Sequence, residues 1–224
     1  MVSPKHAFWQ AFLAASLIFL IGIVFGFLLE TGRATHLQTI LSTSEIHLLD
    51  EQLRSRLLNE LSIDCAIAKT SSFTFADTIY AEALQLEEYD SSSTFTSDLQ
   101  LLHKRYDMLR MILWSENIAL RNRCNSDFHT IVYLYNYTAE DPSTKAQQKA
   151  FSHLLVDLKE EYPENILLIP IAADANLASV DLALKKYNVQ TLPAILVDER
   201  LVIDRIVPAD QLRSRIFSIA TLVN

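Results

Sequence analysis

The chain has 224 residues, half of them apolar, and carries a net charge of −8 at pH 7. This length allows one domain with an extension, or two small domains. The acidic balance and the absence of a basic run predict that nucleic acid is not a partner, because phosphate binding needs clustered Lys and Arg. No glycine follows Gly32, which excludes glycine-rich phosphate or dinucleotide loops from most of the chain. We therefore predict no cofactor.

The first predicted element is an apolar, uncharged segment over residues 7–29. At about 1.5 Å per residue, a helix of this length crosses the roughly 30 Å hydrocarbon core of a lipid membrane. An uncleaved signal anchor fits better than a signal peptide, whose apolar region is about 7–15 residues long. Because Lys5 precedes the segment, the positive-inside rule favours a cytoplasmic N-terminus and an extracytoplasmic body.

Within this segment, Gly22 and Gly26 form a GxxxG pattern. Such patterns often arise by chance in apolar helices, and we favour that interpretation. The alternative is a seam along which two copies pair as a homodimer, since small residues at this spacing let two helix backbones approach closely.

Residues 33–124 are predicted to form a helical stalk and a helical hairpin. The stalk runs to about residue 62, the second helix covers residues 73–89, and the third covers residues 97–121. Apolar residues in the third helix alternate by three and four, which is typical of a seam between helices. We interpret the seam as the internal core of the hairpin, with binding of a partner protein as the alternative. The seam residues are Leu99, Leu102, Tyr106, Leu109 and Leu113.

The two cysteines, Cys65 and Cys124, lie just before the second predicted helix and just after the third. Short connections make consecutive helices antiparallel, so the two positions are expected to be neighbours. We predict a disulfide between them, which would stabilise the fold by about 4 kcal/mol and indicates an oxidising compartment. The alternative is two free, buried thiols. No Cys or His pair has the spacing of metal ligands, so no metal site is predicted.

Residues 128–224 are predicted to form an α/β domain with the element order β-α-β-α-β-β-α. Alternating strands and helices predict parallel pairing with right-handed crossovers, and the last two strands add an antiparallel hairpin at the edge. The predicted strands cover residues 130–135, 166–171, 194–198 and 201–207, and the predicted helices cover residues 142–162, 179–187 and 208–222.

One motif in this region indicates a known fold. The sequence Tyr187-Asn-Val-Gln-Thr-Leu-Pro193 joins a helix end to a strand that begins at Ala194, a place where proline is favoured because it has no N–H. Together with the element order, the motif resembles the second half of the thioredoxin-like fold, and the resemblance covers residues 128–222. It implies that Pro193 is cis and faces the edge of the sheet that carries the active site in that family.

The resemblance also implies a partner. In the family, the cis-proline loop often contacts extended peptides, so this loop and the loop after the first strand become a candidate peptide-binding site for a protein partner. The candidate residues are Tyr137, Thr138, Ala139, Glu140, Leu192 and Pro193.

The chain departs from the family between the first strand and the first helix. Active thioredoxins carry Cys-x-x-Cys there, where a helix N-terminus activates a thiol, whereas residues 136–143 contain no cysteine. Glu140 and Asp141 are instead predicted to cap the next helix, and Asp174 is predicted to be a solvated turn residue. Asn136 begins a glycosylation sequon, Asn-Tyr-Thr.

These observations predict a membrane-anchored, redox-inactive thioredoxin-like protein that is not an enzyme and that binds or scaffolds other proteins outside the cytoplasm. A first alternative is a thiol-disulfide oxidoreductase or isomerase that uses Cys65 and Cys124. A second alternative is a structural, oligomeric component of the cell envelope. The runs Leu101–Asp107 and Cys124–Phe128 also resemble single-anchor thioredoxin-fold proteins of small-genome archaea.

Overall fold

A computed structural model describes residues 4–61, 63–90, 96–124 and 127–218. Its contacts divide the chain into two compact units, the first ending at His47 and the second beginning at Leu48. In the first unit, the described residues belong to helix α1 (Pro4–Glu60). The part of α1 from Phe8 to Leu28 has a mean hydropathy of 2.7 and is long and apolar enough to cross a membrane, a test that a signal sequence also passes.

The second unit contains a helical hairpin formed by α2 (Cys65–Asp90) and α3 (Thr96–Cys124). Helix α2 begins at Cys65, earlier than the predicted start at residue 73. The reason is a cap, because the Asp64 carboxylate accepts hydrogen bonds from the backbone N–H groups of Ala66 at 2.9 Å and Ile67 at 3.4 Å. Such a cap satisfies N–H groups that the first helical turn leaves unpaired.

Helix α3 packs against both α2 and the sheet. The seam residues Leu102, Tyr106, Leu109 and Leu113 are buried, while the side chain of Leu99 lies outside the described part of the chain. The seam is therefore an internal core, and it is not available to a partner protein.

The remaining elements form a four-stranded mixed sheet with helices, in the strand order β2-β1-β3-β4. Strand β1 is parallel to β2 and antiparallel to β3, and β3 pairs with β4 in an antiparallel hairpin. The strands are β1 (His129–Tyr135), β2 (Ile166–Ala172), β3 (Ala194–Val197) and β4 (Leu201–Ile203), and the helices are α4 (Pro142–Glu161), α5 (Ala178–Lys186) and α6 (Ala209–Ser218).

The structure sets the direction of β3 relative to β1, which the prediction left open. Ala172, the last residue of β2, and Ala194, the first of β3, lie beside Tyr135 and Leu134 at the same edge of the sheet. The connecting helix α5 has nine residues. The chain thus leaves β2 and enters β3 at the same end of the sheet, the end where β1 also finishes. Strand β3 must therefore run in the opposite direction to β1.

The sheet is covered on both faces, which explains why the residues of β1 from His129 to Leu134 are all buried. On one face, α4 and α6 supply core side chains such as Phe151, Leu155 and Ile216, which pack on Ile131 and Ile195 of the sheet. Helices α2 and α3 contact the sheet as well.

The β3–β4 turn is unusual because it has no glycine. Asp198 and Glu199 have φ values of 52° and 58°, and the N–H of Arg200 donates to the carbonyl of Val197 at 3.0 Å. A two-residue turn with two positive φ values favours Asn-Gly or Gly-Gly. Here the side chains of Asp198 and Glu199 both pair with Arg121 of α3, so tertiary contacts hold a backbone that the residue types alone disfavour.

Candidate functional site

The structure joins Cys65 and Cys124 in a disulfide, which confirms the predicted pair. Their Cα atoms are 5.7 Å apart, although 59 positions separate them in the sequence. Cys65 is the first residue of α2 and is exposed, while Cys124 is the last residue of α3 and is half-buried. Thiol-disulfide exchange begins when a thiolate attacks one sulfur of the bond, and Cys65 is the more exposed residue of the pair.

Neighbouring contacts hold the two cysteines in place. Arg123, which precedes Cys124, donates to the carbonyl of Leu58 at 2.6 Å and to that of Ile63 at 3.2 Å. On the other side, Lys69 forms an ion pair with Asp127 at 2.6 Å. The end of α3 is therefore tied both to the chain before Cys65 and to the helix after it.

The two cysteines lie at opposite kinds of helix terminus, and a charged side chain accompanies each: the Asp64 carboxylate caps the helix at Cys65, and Arg123 precedes Cys124. Cys65 lies at the N-terminus of a helix, where the partial positive charge of the backbone stabilises a thiolate. Cys124 lies at the C-terminus of a helix, where the partial charge is negative and disfavours a thiolate. Asp64 and Arg123 oppose these helix-terminus effects, so the difference in exposure distinguishes the two cysteines: it suits Cys65 as the residue that bonds to a partner and Cys124 as the one that resolves the mixed disulfide.

This geometry contradicts the prediction of a redox-inactive scaffold. That prediction depended on the missing cysteines after β1 and took the Cys65–Cys124 bond to be a structural link. The missing cysteines are a fact of the sequence, but the chain contains another disulfide, and one of its residues is exposed at a helix N-terminus. The observations favour the oxidoreductase alternative over the scaffold.

The loop after β1 lies at the other edge of the sheet and is fixed by Asp174. The Asp174 carboxylate accepts hydrogen bonds from the backbone N–H of Tyr137 and from the N–H and hydroxyl of Thr138, at 2.6–2.8 Å. The predicted solvated turn residue is thus the anchor of this loop. Asp141 caps α4, as predicted, by accepting from the N–H of Thr144 at 2.8 Å.

The candidate peptide-binding residues surround this edge, and the Leu192–Pro193 bond is cis. Pro193 is buried, Leu192 is half-buried and Thr138 is exposed. The ring of Tyr137 contacts that of His103 in α3, with centroids 4.1 Å apart. Strand β1 has seven residues and is roughly 20 Å long. Peptide binding here stays a prediction, as does glycosylation at Asn136.

A buried cluster of charges links α1, α2 and α3, and the sequence analysis did not find it. The Arg54 guanidinium pairs with Glu51 and also with Glu116, the latter at 2.7 Å. Ser72 donates to Glu116 at 2.7 Å, and Arg54 donates to Ser71 at 2.8 Å. The only local signal is the i,i+3 spacing of Glu51 and Arg54, since Glu116 lies 62 positions further along.

Other chemistry has less support in the described ranges. No group of three or more His, Cys, Asp or Glu side chains there could hold a metal ion. His129, at the start of β1, is buried and its Nδ1 lies 2.6 Å from the carboxylate of Asp198. This contact belongs to the cluster that holds the β3–β4 turn.

No family model matches the chain, and no curated protein does so either. Eight chains of solved structures match. One of them is thioredoxin O2 from Arabidopsis thaliana in the oxidized state, with 16% identity, a TM-score of 0.32, and coverage of 48% of this chain and 88% of that one. This similarity is one of fold and covers about half of the present chain. These comparisons do not support the archaeal resemblance.

Proposed function

We propose that the protein is a membrane-anchored thiol-disulfide oxidoreductase whose exchangeable pair is Cys65 and Cys124. The observation that carries the proposal is the position of the disulfide, with Cys65 exposed at the N-terminus of α2 and Cys124 half-buried at the C-terminus of α3. Exchange requires that another molecule reach one residue of the pair, and Cys65 is the exposed one.

In the oxidising direction, a thiolate of a substrate dithiol attacks the sulfur of Cys65. A mixed disulfide forms and the Cys65–Cys124 bond breaks, with Cys124 leaving as a thiolate that takes up a proton. The second substrate thiolate then attacks the substrate sulfur of the mixed disulfide and releases Cys65 as a thiolate. The substrate gains one disulfide and the pair is reduced by two electrons. The helix N-terminus stabilises the Cys65 thiolate in this second step.

In the reducing direction, the Cys65 thiolate attacks a substrate disulfide and Cys124 then attacks Cys65. The original bond re-forms and the substrate leaves as a dithiol. The pair acts as an isomerase when a substrate thiolate, rather than Cys124, resolves the mixed disulfide. In each case Cys65 makes the bond to the substrate, because Cys124 is less accessible.

The proposed location is a membrane with the N-terminus in the cytoplasm and the second unit outside it. The long apolar stretch Phe8–Leu28 supports the anchor, Lys5 supports the orientation, and an oxidising compartment suits a disulfide. The proposal includes pairing of two copies through Gly22 and Gly26, because small residues at this spacing let two helix backbones approach closely. Crosslinking in detergent tests this pairing, and a strict monomer would refute it.

The experiment that tests the proposed activity is the trapping of mixed disulfides on the full-length protein in membranes. In a Cys124→Ser variant, Cys65 has no resolving partner, so incubation with a disulfide-containing protein such as insulin should accumulate adducts that a reductant releases. The Cys65→Ser variant is the matched control and should form far fewer adducts, because its remaining thiol is half-buried. With dithiothreitol as the electron donor, wild-type protein should reduce insulin faster than dithiothreitol alone does, and both single variants should not.

Two outcomes would refute the proposal. Equal trapping by the two variants would show that the positions are not distinct. A Cys65–Cys124 bond that mild reductant leaves intact in the folded protein, together with no turnover, would show that the bond is only structural.

A further inference from the structure

A second candidate site lies between three helices of the second unit. It is a cavity of about 590 Å³ bounded by α1, α3 and α5. This volume falls within the range of roughly 300–1,000 Å³ that is common for small-molecule sites. Its apolar lining includes Met108, Met111, Ile112, Trp114, Leu182 and Tyr187.

The lining combines flexible methionine side chains with a pair of aromatic rings. Beyond residue 1, the chain has two methionines, and both Met108 and Met111 line this cavity. Methionine side chains are flexible and polarizable, so they adjust to an apolar ligand of irregular shape. Trp114 is buried and donates from Nε1 to the Glu199 carboxylate at 2.7 Å, and its ring is tilted by 36° to that of Tyr187 with centroids 5.5 Å apart. This aromatic pair forms a fixed wall.

The charges at the cavity have one sign, although the chain is acidic. Arg56 and Lys186 line it, and no described lining residue is Asp or Glu. Both side chains are exposed, and neither has an ion pair within the described ranges. An apolar cavity with two available cations is complementary to a ligand that has an apolar body and one anionic end.

The helical walls of the cavity favour an acyl chain over a peptide as the ligand. All three walls are helices, whose backbone groups are already hydrogen-bonded along the helix. An extended peptide in the cavity would bring an N–H and a C=O group at every residue, more than the polar side chains of the lining can pair with, which is costly. Those polar side chains are Gln52, Ser55, Ser115 and Ser179. An acyl chain has no such groups, and its single charge can remain at the edge beside Arg56 and Lys186.

We propose that this cavity binds a long-chain carboxylate, with the acyl chain against Met108, Met111 and Trp114 and the carboxylate beside Arg56 and Lys186. The site is separate from the cysteine pair, so the inference goes beyond the proposed redox activity and does not depend on it.

The experiment uses the full-length protein in lipid nanodiscs with a palmitate analogue that carries a photoreactive diazirine in its chain. After illumination, mass spectrometry locates the crosslinks. We expect crosslinks in residues 108–118 and 179–187, and excess palmitate should remove them. The apolar helix Phe8–Leu28 should be labelled as well, because the probe enters the lipid, and that labelling measures how much probe is present.

Charge reversal tests the role of the cations. In an Arg56→Glu/Lys186→Glu variant, we expect crosslinks in the cavity to fall by roughly tenfold or more, because two attractions become repulsions, while labelling of residues 8–28 is unchanged. Lys185→Glu is the matched control, since Lys185 is exposed and does not line the cavity. A probe with the same chain and a quaternary ammonium end should label the wild-type cavity weakly.

Three results would overturn the proposal. The first is labelling confined to residues 8–28 in the wild-type protein. The second is equal labelling of the cavity by the carboxylate and the ammonium probe. The third is a loss in Lys185→Glu as large as that in the double variant. None of them bears on the cysteine pair, because the labelling requires no thiol.

Discussion

At the scale of single residues, Asp107 shows how a tertiary contact changes the chemistry of a side chain. It lies in α3, where its carboxylate pairs with Arg110 at 3.2 Å and accepts from the N–H of Ala172, the last residue of β2, at 3.2 Å. Burial raises the pKa of Asp107 to about 6, and the opposing effects of Arg110 and the Ala172 N–H are smaller. The folded protein therefore keeps this carboxyl protonated up to a higher pH than the unfolded chain does.

This shift predicts a specific dependence of stability on pH. The pKa of Asp107 is higher in the folded state than its ordinary value of 3.8. The contribution of this carboxyl to the free energy of unfolding is therefore fully present below about pH 4 and is lost as the pH rises through about 6. Asp107→Asn should remove this dependence of the unfolding free energy on pH, which is on the order of 3 kcal/mol between about pH 4 and the folded-state pKa. Urea unfolding of both proteins at several pH values measures it. Asp157→Asn, at an exposed position, is the control, and parallel curves for wild type and Asp107→Asn would contradict the prediction.

Asp174 has the opposite shift and a different role. Burial raises its pKa, but the hydrogen bonds from Thr138 and Tyr137 together outweigh burial and lower it. Its contribution to stability is therefore present above about pH 4 and is lost as the pH falls further. Asp174→Ala should cost about 1–2 kcal/mol.

The same variant should release the loop after β1. The measurement is hydrogen exchange at the amides of Tyr137 and Thr138, which should become faster in Asp174→Ala. Thr138→Val is the comparison, since it removes one of the three hydrogen bonds and should have a smaller effect. Unchanged exchange in Asp174→Ala would show that the loop is held by other contacts.

At the scale of elements, α1, α2 and α3 are joined by the Arg54 cluster as well as by apolar packing. Burial raises the pKa of Glu51, while Arg54 opposes that rise. The side chain of Glu116 is 2% exposed, so its charge depends on Arg54 and Ser72 for compensation. Such a cluster adds specificity of alignment between helices, and it is costly to break because the remaining charges stay buried.

Arg54→Ala should therefore destabilise the second unit by about 3 kcal/mol, since it leaves two carboxylates without their cation. Arg56→Ala is a matched control two positions away, at an exposed site, and it should change stability by less than about 0.5 kcal/mol. Thermal unfolding followed by near-UV circular dichroism measures both. Equal effects of the two changes would mean that the cluster does not contribute as its burial indicates.

At the scale of the whole molecule, the disulfide both closes the hairpin and provides the proposed redox pair. Its 59-residue separation predicts a contribution of about 4 kcal/mol in the chain-entropy model. A Cys65→Ala/Cys124→Ala variant should lose that amount in chemical unfolding, and reduced wild-type protein should match the variant. A loss below about 1 kcal/mol would show that the other contacts of the hairpin ends already restrict the unfolded chain.

Several features followed from the sequence alone because they depend on local pattern or on connectivity. Apolar runs and helical spacing predicted the apolar N-terminal helix and the hairpin. The antiparallel path of two consecutive helices predicted the Cys65–Cys124 bond, and Asp141 before Pro142 predicted a helix cap. Each of these inferences needs only residues that are close in the chain or elements joined by a short connection.

The tertiary structure decided the features that depend on distant partners. The direction of β3 depends on the edge at which α5 returns the chain, and the positive φ values at Asp198 and Glu199 depend on Arg121 of α3. The exposure of Cys65 changed the functional conclusion from scaffold to oxidoreductase, and no local pattern encodes it. The exposure of a side chain and its ion pairs depend on all the residues that folding brings around it. They are therefore determined only when the helices and the sheet have packed.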